Sequence, residues 1–345
     1  MVLRSSGLAL LAMAAAASAQ APSYDRIANA GAITPGRLRA HIDFLANDLL
    51  EGRDTPSRGL NIAAEYIATQ LKLWGVKPGG DNGTYFQKIQ DRFNATDGTP
   101  SYNVIGIIEG ADARLKDEYV SLGAHYDHVG LAPNNPTDKV FNGAHDNGSG
   151  SAAVLEIAHA AAHARKPKRS YIFHWHAAEE KGLWGSRFFA DSPTVPIDKI
   201  VAHINMDMIG MSKKPGDTNP RNRDLTGPNA VYVIGSKFLS TDLDSIITSV
   251  NRETVKLELD YKFNDLNDPQ RLYYRSDHIN FARKNIPSVF FFDGINEHYH
   301  RVTDEPDVLD YDKFARVTKL IYLVAHRFAD RVPRPKMDAP GPGLN

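Results

Sequence analysis

A chain of 345 residues with a formal net charge of −1 is long enough to bury a large core, and it carries no global field that would hold nucleic acid or an anionic membrane surface. It contains no cysteine, so a disulfide framework is excluded and any metal must be held by histidine and carboxylate. The expected partner is therefore a small or peptidic substrate.

The chain opens with a short basic start ending at Arg4, an apolar run over residues 8–17 and the small-residue site Ala17-Ser-Ala19. This pattern predicts a signal peptide over residues 1–19 and an exported mature chain, periplasmic or secreted. No later stretch is long and apolar enough for a membrane helix. Thr34-Pro35 reads as an N-cap and first helical residue, with Leu38, Ile42, Leu45 and Leu49 following on one face. A second helix restarts at Ile62 and runs by way of Tyr66 and Leu71 toward Gly75. Residues 103–108 and 119–124 read as strands. Beyond them helix and strand alternate: helix over 152–162, strand over 171–175, helix over 183–190, strand over 200–205. Residues 231–234 and 288–292 are further strands, separated by a helix that carries Leu243, Ile246, Ile247 and Val250. Phe314, Val317, Leu320, Ile321 and Val324 close the pattern as an amphipathic helix over 311–327. Such alternation predicts a single α/β domain over residues 20–333, with parallel neighbouring strands and helices on both faces. Residues 212–229 read as an exposed excursion, and the Pro- and Gly-rich residues 334–345 as a flexible tail.

Potential metal ligands recur where these strands end: His125 with Asp127, Asp146, Glu179 with Glu180, Asp207, and His300. If the strands are parallel neighbours, their carboxyl ends lie on one edge, and residues distant in sequence meet in one crevice. His125 and Asp127 share a face of an extended segment, so the carboxylate can take the second imidazole N–H of a ligating His125. Asp146 sits in Gly143-Ala-His-Asp-Asn-Gly-Ser-Gly150, which lacks the Gly-Lys-Ser/Thr ending of a phosphate loop; its two oxygens make it a candidate bridge between cations. His174 and His176 have ligand-like spacing, but packing or hydrogen bonding is the expected role. His128 and His298 are open at this level. Ser276, Asp277 and His278 are consecutive and cannot form a catalytic relay among themselves.

Taken together, His125-Tyr-Asp127, Gly143 to Gly150, Ala178-Glu-Glu-Lys-Gly-Leu-Trp-Gly-Ser186, Asn205-Met-Asp207 and Tyr299-His300 resemble, in order, the motifs of the dizinc peptidase family that contains the secreted bacterial leucyl aminopeptidases. The resemblance implies a three-layer α/β sandwich with a mixed, mostly parallel central sheet. It implies two zinc ions, replaceable by cobalt or manganese, with Asp146 bridging. His125 and Asp207 would complete one ion, Glu180 and His300 the other. Such ions sit about 3.5–4 Å apart and share a water. Glu179 is then the general base, and Tyr299 resembles the tyrosine that donates to the developing oxyanion. His145 departs from the acidic residue common at its position in the family, which lessens the negative charge beside the bridge. Glu179 and Glu180 can both face the site only if the backbone turns, and Gly182 is placed to permit it. An aminopeptidase is the reading favoured. A carboxypeptidase or dipeptidase, a one-zinc glutaminyl cyclase, and a non-catalytic binding module are the alternatives on the same fold.

Overall fold

The computed structural model describes residue 26, residues 28–90 and residues 98–343. The expected signal peptide lies outside them. Thr34 does cap the first helix, α1 (Pro35–Leu45), by accepting from the Arg37 N–H, but the helix stops at Leu45. Leu49 is 83% exposed, off the buried face on which the spacing placed it. Asn47 ends the register by capping a tight turn, its side chain accepting from the Leu49 N–H. Ser57 caps the second helix, α2 (Arg58–Leu73), which begins a turn before Ile62.

The sheet contains the strands β1 (Lys77–Pro78), β2 (Phe86–Lys88), β3 (Tyr102–Ile108), β4 (Tyr119–His125), β5 (Ser170–His176), β6 (Ile200–Met206), β7 (Ala230–Ile234), β8 (Glu258–Asp260) and β9 (Ser288–Phe292). Four of them, in the spatial order β5, β4, β6, β9, run parallel. Their carboxyl ends consequently fall along one edge. The flanks are antiparallel: β3 pairs with β5, and β7 with β9. The short β1, β2 and β8 complete the sheet.

The period of two along the strands separates the layers. Val104, Tyr171, Phe173 and Trp175 enter the core shared with α1, α2, α3 (Gly150–Ala162) and the C-terminal helix, whereas Ile105 and Ile172 face Phe189 and Phe281 on the other side. Each such aromatic, fully buried, contributes about 1.5–3 kcal/mol. Phe189 and Phe281 come from α4 (Trp184–Asp191) and from a short helix over His278–Ala282. The amphipathic C-terminal helix runs over Tyr311–Asp330, one turn beyond the predicted end.

The excursion over residues 212–229 and the C-terminal segment each hydrogen-bond to the rest of the fold. Within residues 212–229, Asn219 and Asn222 both donate to the Glu297 carboxylate, at 2.7 and 3.0 Å, and Asn222 accepts from the Glu297 N–H at 2.8 Å. In the C-terminal segment Asp338 donates its N–H to the Leu239 carbonyl at 2.7 Å, and Gly341 donates to the Asn285 side chain at 2.8 Å. Prolines remove donors and fix φ, yet the residues between them still find surface acceptors.

Candidate metal centre

His125 is the last residue of β4, Asp207 follows β6 directly, and Glu179 and Glu180 come three and four residues after β5. The parallel register thus delivers each of them to the same edge. Asp146 arrives from the tight turn Ala144–Ser149 that opens α3. That turn is fixed from two sides. The Asp304 carboxylate accepts from the His145 and Asp146 N–H groups at 2.8 and 3.0 Å, while Asn147 donates to the Met206 carbonyl and accepts from the Gly150 and Met208 N–H groups. Gly150 is required here, since a Cβ on it would stand 2.3 Å from the Met206 oxygen.

The resulting geometry has two halves. His125 Nε2 lies 3.5 Å from Asp146 Oδ1 and 3.4 Å from Asp207 Oδ1, with Glu179 Oε2 at 3.9 Å. His300 Nε2 lies 3.1 Å from Asp146 Oδ2 and 3.1 Å from Glu180 Oε2. Asp146 therefore turns one oxygen toward each half. Ligand atoms around a zinc ion at about 2.0–2.2 Å stand a little over 3 Å from one another, which is the spacing seen in both halves. Asp207 Oδ1 and Asp146 Oδ2 are buried without a hydrogen-bond partner, a costly arrangement for carboxylate oxygens unless a cation completes it. The nitrogen and oxygen donors present, with no thiolate among them, fit such ions.

Sequence reasoning named these candidate ligands and left other features unread. Asp127 was expected to take the second N–H of His125 through its carboxylate. Instead His125 Nδ1 lies 3.2 Å from the Asp127 main-chain carbonyl and 3.6 Å from the carboxylate, whose oxygens accept from the N–H groups of Glu179 at 3.1 Å and Glu180 at 3.3 Å. Asp127 thus holds the turn that aims the acidic pair. The turn itself begins at Ala178, at φ 57, and not at Gly182; the left-handed Gly182, at φ 95, and Leu183 serve the return toward α4. Ala178 is fastened by donating its N–H to Thr55 Oγ1 at 3.1 Å. No residue preference in the Ala-Glu-Glu run signals a left-handed alanine.

His128 is the second unread feature. It is fully buried, and its Nδ1 lies 3.1 Å from Glu180 Oε1, so both oxygens of Glu180 are engaged. With Asp146 and Glu180 it forms one of two groups that could hold an ion, the other being His125, Glu179 and Asp207. Ser276 donates to Asp207 Oδ2 at 2.6 Å and accepts from Asn205 Nδ2 at 2.8 Å, so it orients a candidate ligand. Asp277 faces His176 Nδ1 at 3.2 Å, and His174 packs against Phe189 and Phe281. Both histidines lie on the sheet face opposite Phe173 and Trp175. His298 hydrogen-bonds Thr303 at 2.9 Å.

Electrostatics follow from burial. Without an ion, burial pushes the Glu179 carboxyl well above its usual range, with His125 opposing and Asp207 and Glu180 adding to the rise. Burial also acts on Glu180, but its hydrogen bonds from His128 and His300 outweigh that and hold it low. Burial lowers His145 to about 3. It is neutral, 3.0 Å from the Asn296 amide, so the departure from an acidic residue costs one negative charge while Asp304 supplies another to the same turn. Arg53, fully buried, donates to the Leu45, Tyr126, Asn142 and Gly143 carbonyls and sets a positive charge behind the acidic cluster.

The model of peptidase family M28 matches residues 103–325, the segment that carries every one of these candidate ligands. The chain belongs to peptidase family M28. Among relatives, this M28 chain is 27% identical over 351 residues to a probable zinc metalloprotease of Pyricularia oryzae, covering 92% of the chain and 68% of that protein. It is 29% identical over 236 residues to a probable leucine aminopeptidase of Arthroderma benhamiae, covering 66% of the chain and only 57% of the relative. Its fold is similar to that of the LapA aminopeptidase of Legionella pneumophila, with a TM-score of 0.67 at 20% identity over 90% of this chain and 75% of that one. An aminopeptidase from Aneurinibacillus sp. strain AM-1 gives a TM-score of 0.65 at 16% identity, covering 94% of this chain and all of the other. As in those structures, the M28 fold here is a mixed sheet between helical layers.

Proposed function

We propose that this M28 peptidase is a dizinc aminopeptidase that hydrolyses N-terminal peptide bonds, and that it acts outside the cytoplasm after removal of residues 1–19. The observation that carries the reading is Asp146, whose Oδ1 lies 3.5 Å from His125 and whose Oδ2 lies 3.1 Å from His300. His125 and Asp207 would hold one ion, Glu180 and His300 the other, with Asp146 shared between them. The names of the fungal relatives and of the structural neighbours support the choice of an aminopeptidase.

Bound zinc would supply Lewis acidity toward the scissile carbonyl and lower the pKa of the attacking water. The residues do the rest. Glu179, its side chain 11% exposed and facing the cleft, takes the proton of the attacking water and returns it to the leaving amine. Tyr299 stacks on His300 at 4.0 Å between ring centroids and lines the same cleft, where its hydroxyl donates to the developing oxyanion. Asp127 and His128 hold the acidic pair in place.

Glu179→Gln keeps the size and the hydrogen-bonding reach of the side chain while removing the base. The variant retains its zinc and loses roughly 10²–10⁴-fold in kcat; full turnover with zinc bound removes Glu179 from the role. Parallel assays on aminoacyl and N-acetylated peptides test the exopeptidase direction, because equal cleavage of blocked substrates defeats an aminopeptidase.

A further inference from the structure

The cleft over the metal centre has a wall that the proposed chemistry leaves unused. Met208, Leu272, Phe290 and Phe292 are buried in it, and Ile295 extends the apolar surface outward. Such a wall suits an apolar side chain next to the scissile bond. Arg275 lines the same cleft but is exposed, so it stands toward the mouth and not in the apolar depth.

Among the described residues no carboxylate lies within 4.0 Å of the Arg275 guanidinium, whereas Lys181, next to the acidic pair, has Asp54 at 2.8 Å. The one side-chain hydrogen bond of Arg275 is long, from Nη2 to the Tyr299 hydroxyl at 3.4 Å. The side chain is anchored at its root, since the Arg275 N–H donates to the Leu272 carbonyl at 3.1 Å and the next residue, Ser276, is locked to Asp207. A guanidinium has five N–H donors in a planar fork that matches a carboxylate. Here the exposed fork lines the cleft beside the candidate metal centre and makes one long hydrogen bond to the protein.

We propose that Arg275 binds a carboxylate of the substrate, which makes short peptides with a free C-terminus, or peptides with an acidic side chain next to the scissile bond, the preferred substrate class. The proposal rests on the peptidase reading above and adds to it the end of the substrate away from the zinc. Position favours the C-terminal carboxylate. The site for the first side chain is the buried apolar wall, while Arg275 stands at the mouth, where the tail of a dipeptide emerges.

The test is a pair of ratios measured on the zinc-loaded full chain and on Arg275→Gln. The first ratio compares kcat/KM for Leu-Leu with that for Leu-Leu-amide. The second compares Glu-Leu-amide with Leu-Leu-amide. A C-terminal carboxylate on Arg275 gives a wild-type preference for Leu-Leu of roughly 10- to 100-fold, the size of a charge-assisted hydrogen bond, and the preference collapses toward unity in the variant, mainly through KM. Collapse of the second ratio instead assigns the acidic side chain. If neither ratio departs from unity in the wild type, or if both are the same in the variant, Arg275 acts only on Tyr299 and the assignment is overturned. Failure to hydrolyse any of these peptides is a failure of the peptidase reading; the same ratios, taken as dissociation constants by calorimetry, still decide whether Arg275 reads a carboxylate.

Discussion

Asp127→Asn is the sharpest probe of the turn that aims Glu179 and Glu180. In the native protein Asp127 Oδ1 accepts from the Glu179 N–H at 3.1 Å and Oδ2 from the Glu180 N–H at 3.3 Å, and the residue is fully buried. Asparagine has nearly the same shape, so the substitution leaves no cavity. It replaces one acceptor oxygen with an NH₂ that must face a main-chain N–H. One charge-assisted hydrogen bond, about 1.5–3 kcal/mol, is lost, and one buried N–H is left unpaired. If that energy appears as displacement of the acidic pair, kcat/KM falls by roughly 10- to 100-fold, the range usual for groups that orient metal ligands. The assay is kcat/KM on an aminoacyl p-nitroanilide at saturating zinc, together with bound zinc by atomic absorption and the Tm of the zinc-free protein. The expected variant is folded, needs more zinc to fill the half held by Glu180, and turns over slowly when filled. Wild-type zinc affinity with wild-type kcat/KM would refute the reasoning, because the left-handed Ala178 and Thr55 would then be holding the turn without Asp127.

His128→Ala weakens the ion held by Glu180 and His300 by about 10- to 100-fold and leaves the other half filled, whereas His128→Asn, whose amide stands near Nδ1, restores most of the affinity; competitive zinc titration against a chelator reads both, and an alanine variant that titrates like the wild type makes His128 a passive neighbour. His278 is fully buried, stacked on Phe290 at 5.0 Å, and burial lowers it to about 3. Since the unfolded imidazole, with a pKa of about 6.5, binds a proton that the folded one does not, this residue's contribution to stability is fully present above about pH 6.5 and is lost as pH falls toward 3. At pH 5 the loss is about 2 kcal/mol. In His278→Phe, urea denaturation of the zinc-free protein at pH 7.5 and pH 5 gives a stability difference smaller by that amount, and an unchanged difference contradicts the account.

The elements whose ends carry ligands were legible because they are long and obey a simple period. Apolar runs such as residues 171–175 and 288–292 are buried on both faces, and the polar residues immediately after them can only lie at the sheet edge. The flanks were not legible in the same way. Strands of two or three residues, as at Lys77–Pro78 and Glu258–Asp260, carry no periodicity, and their pairing is set by the partner strand. Leu49 kept the helical spacing after the helix had ended, since an N-capping Asn47 outweighs one apolar match. Asp127 and His128 lie beyond sequence reading for another reason. Their partners are the N–H groups of Glu179 and Glu180 and the outer oxygen of Glu180, more than fifty positions away, and spacing within a strand says nothing about them. Ser276 was set aside with Asp277 and His278 because consecutive residues cannot form a relay, and local spacing says nothing of its hydrogen bond to Asp207, 69 positions away.

The Glu297 carboxylate, gripped by Asn219 and Asn222, lies two and three residues before Tyr299 and His300. Residues 212–229 are thus a brace for His300, a candidate ligand, and for the tyrosine stacked on it. Changes in the length of that surface segment would be transmitted to the His300 side chain and to the position of Tyr299 in the cleft. Surface segments are where families usually vary without penalty. In this chain substrate range and metal retention would have to change together, and a graft that altered one while preserving the other would need to carry the Asn219, Asn222 and Glu297 hydrogen bonds with it.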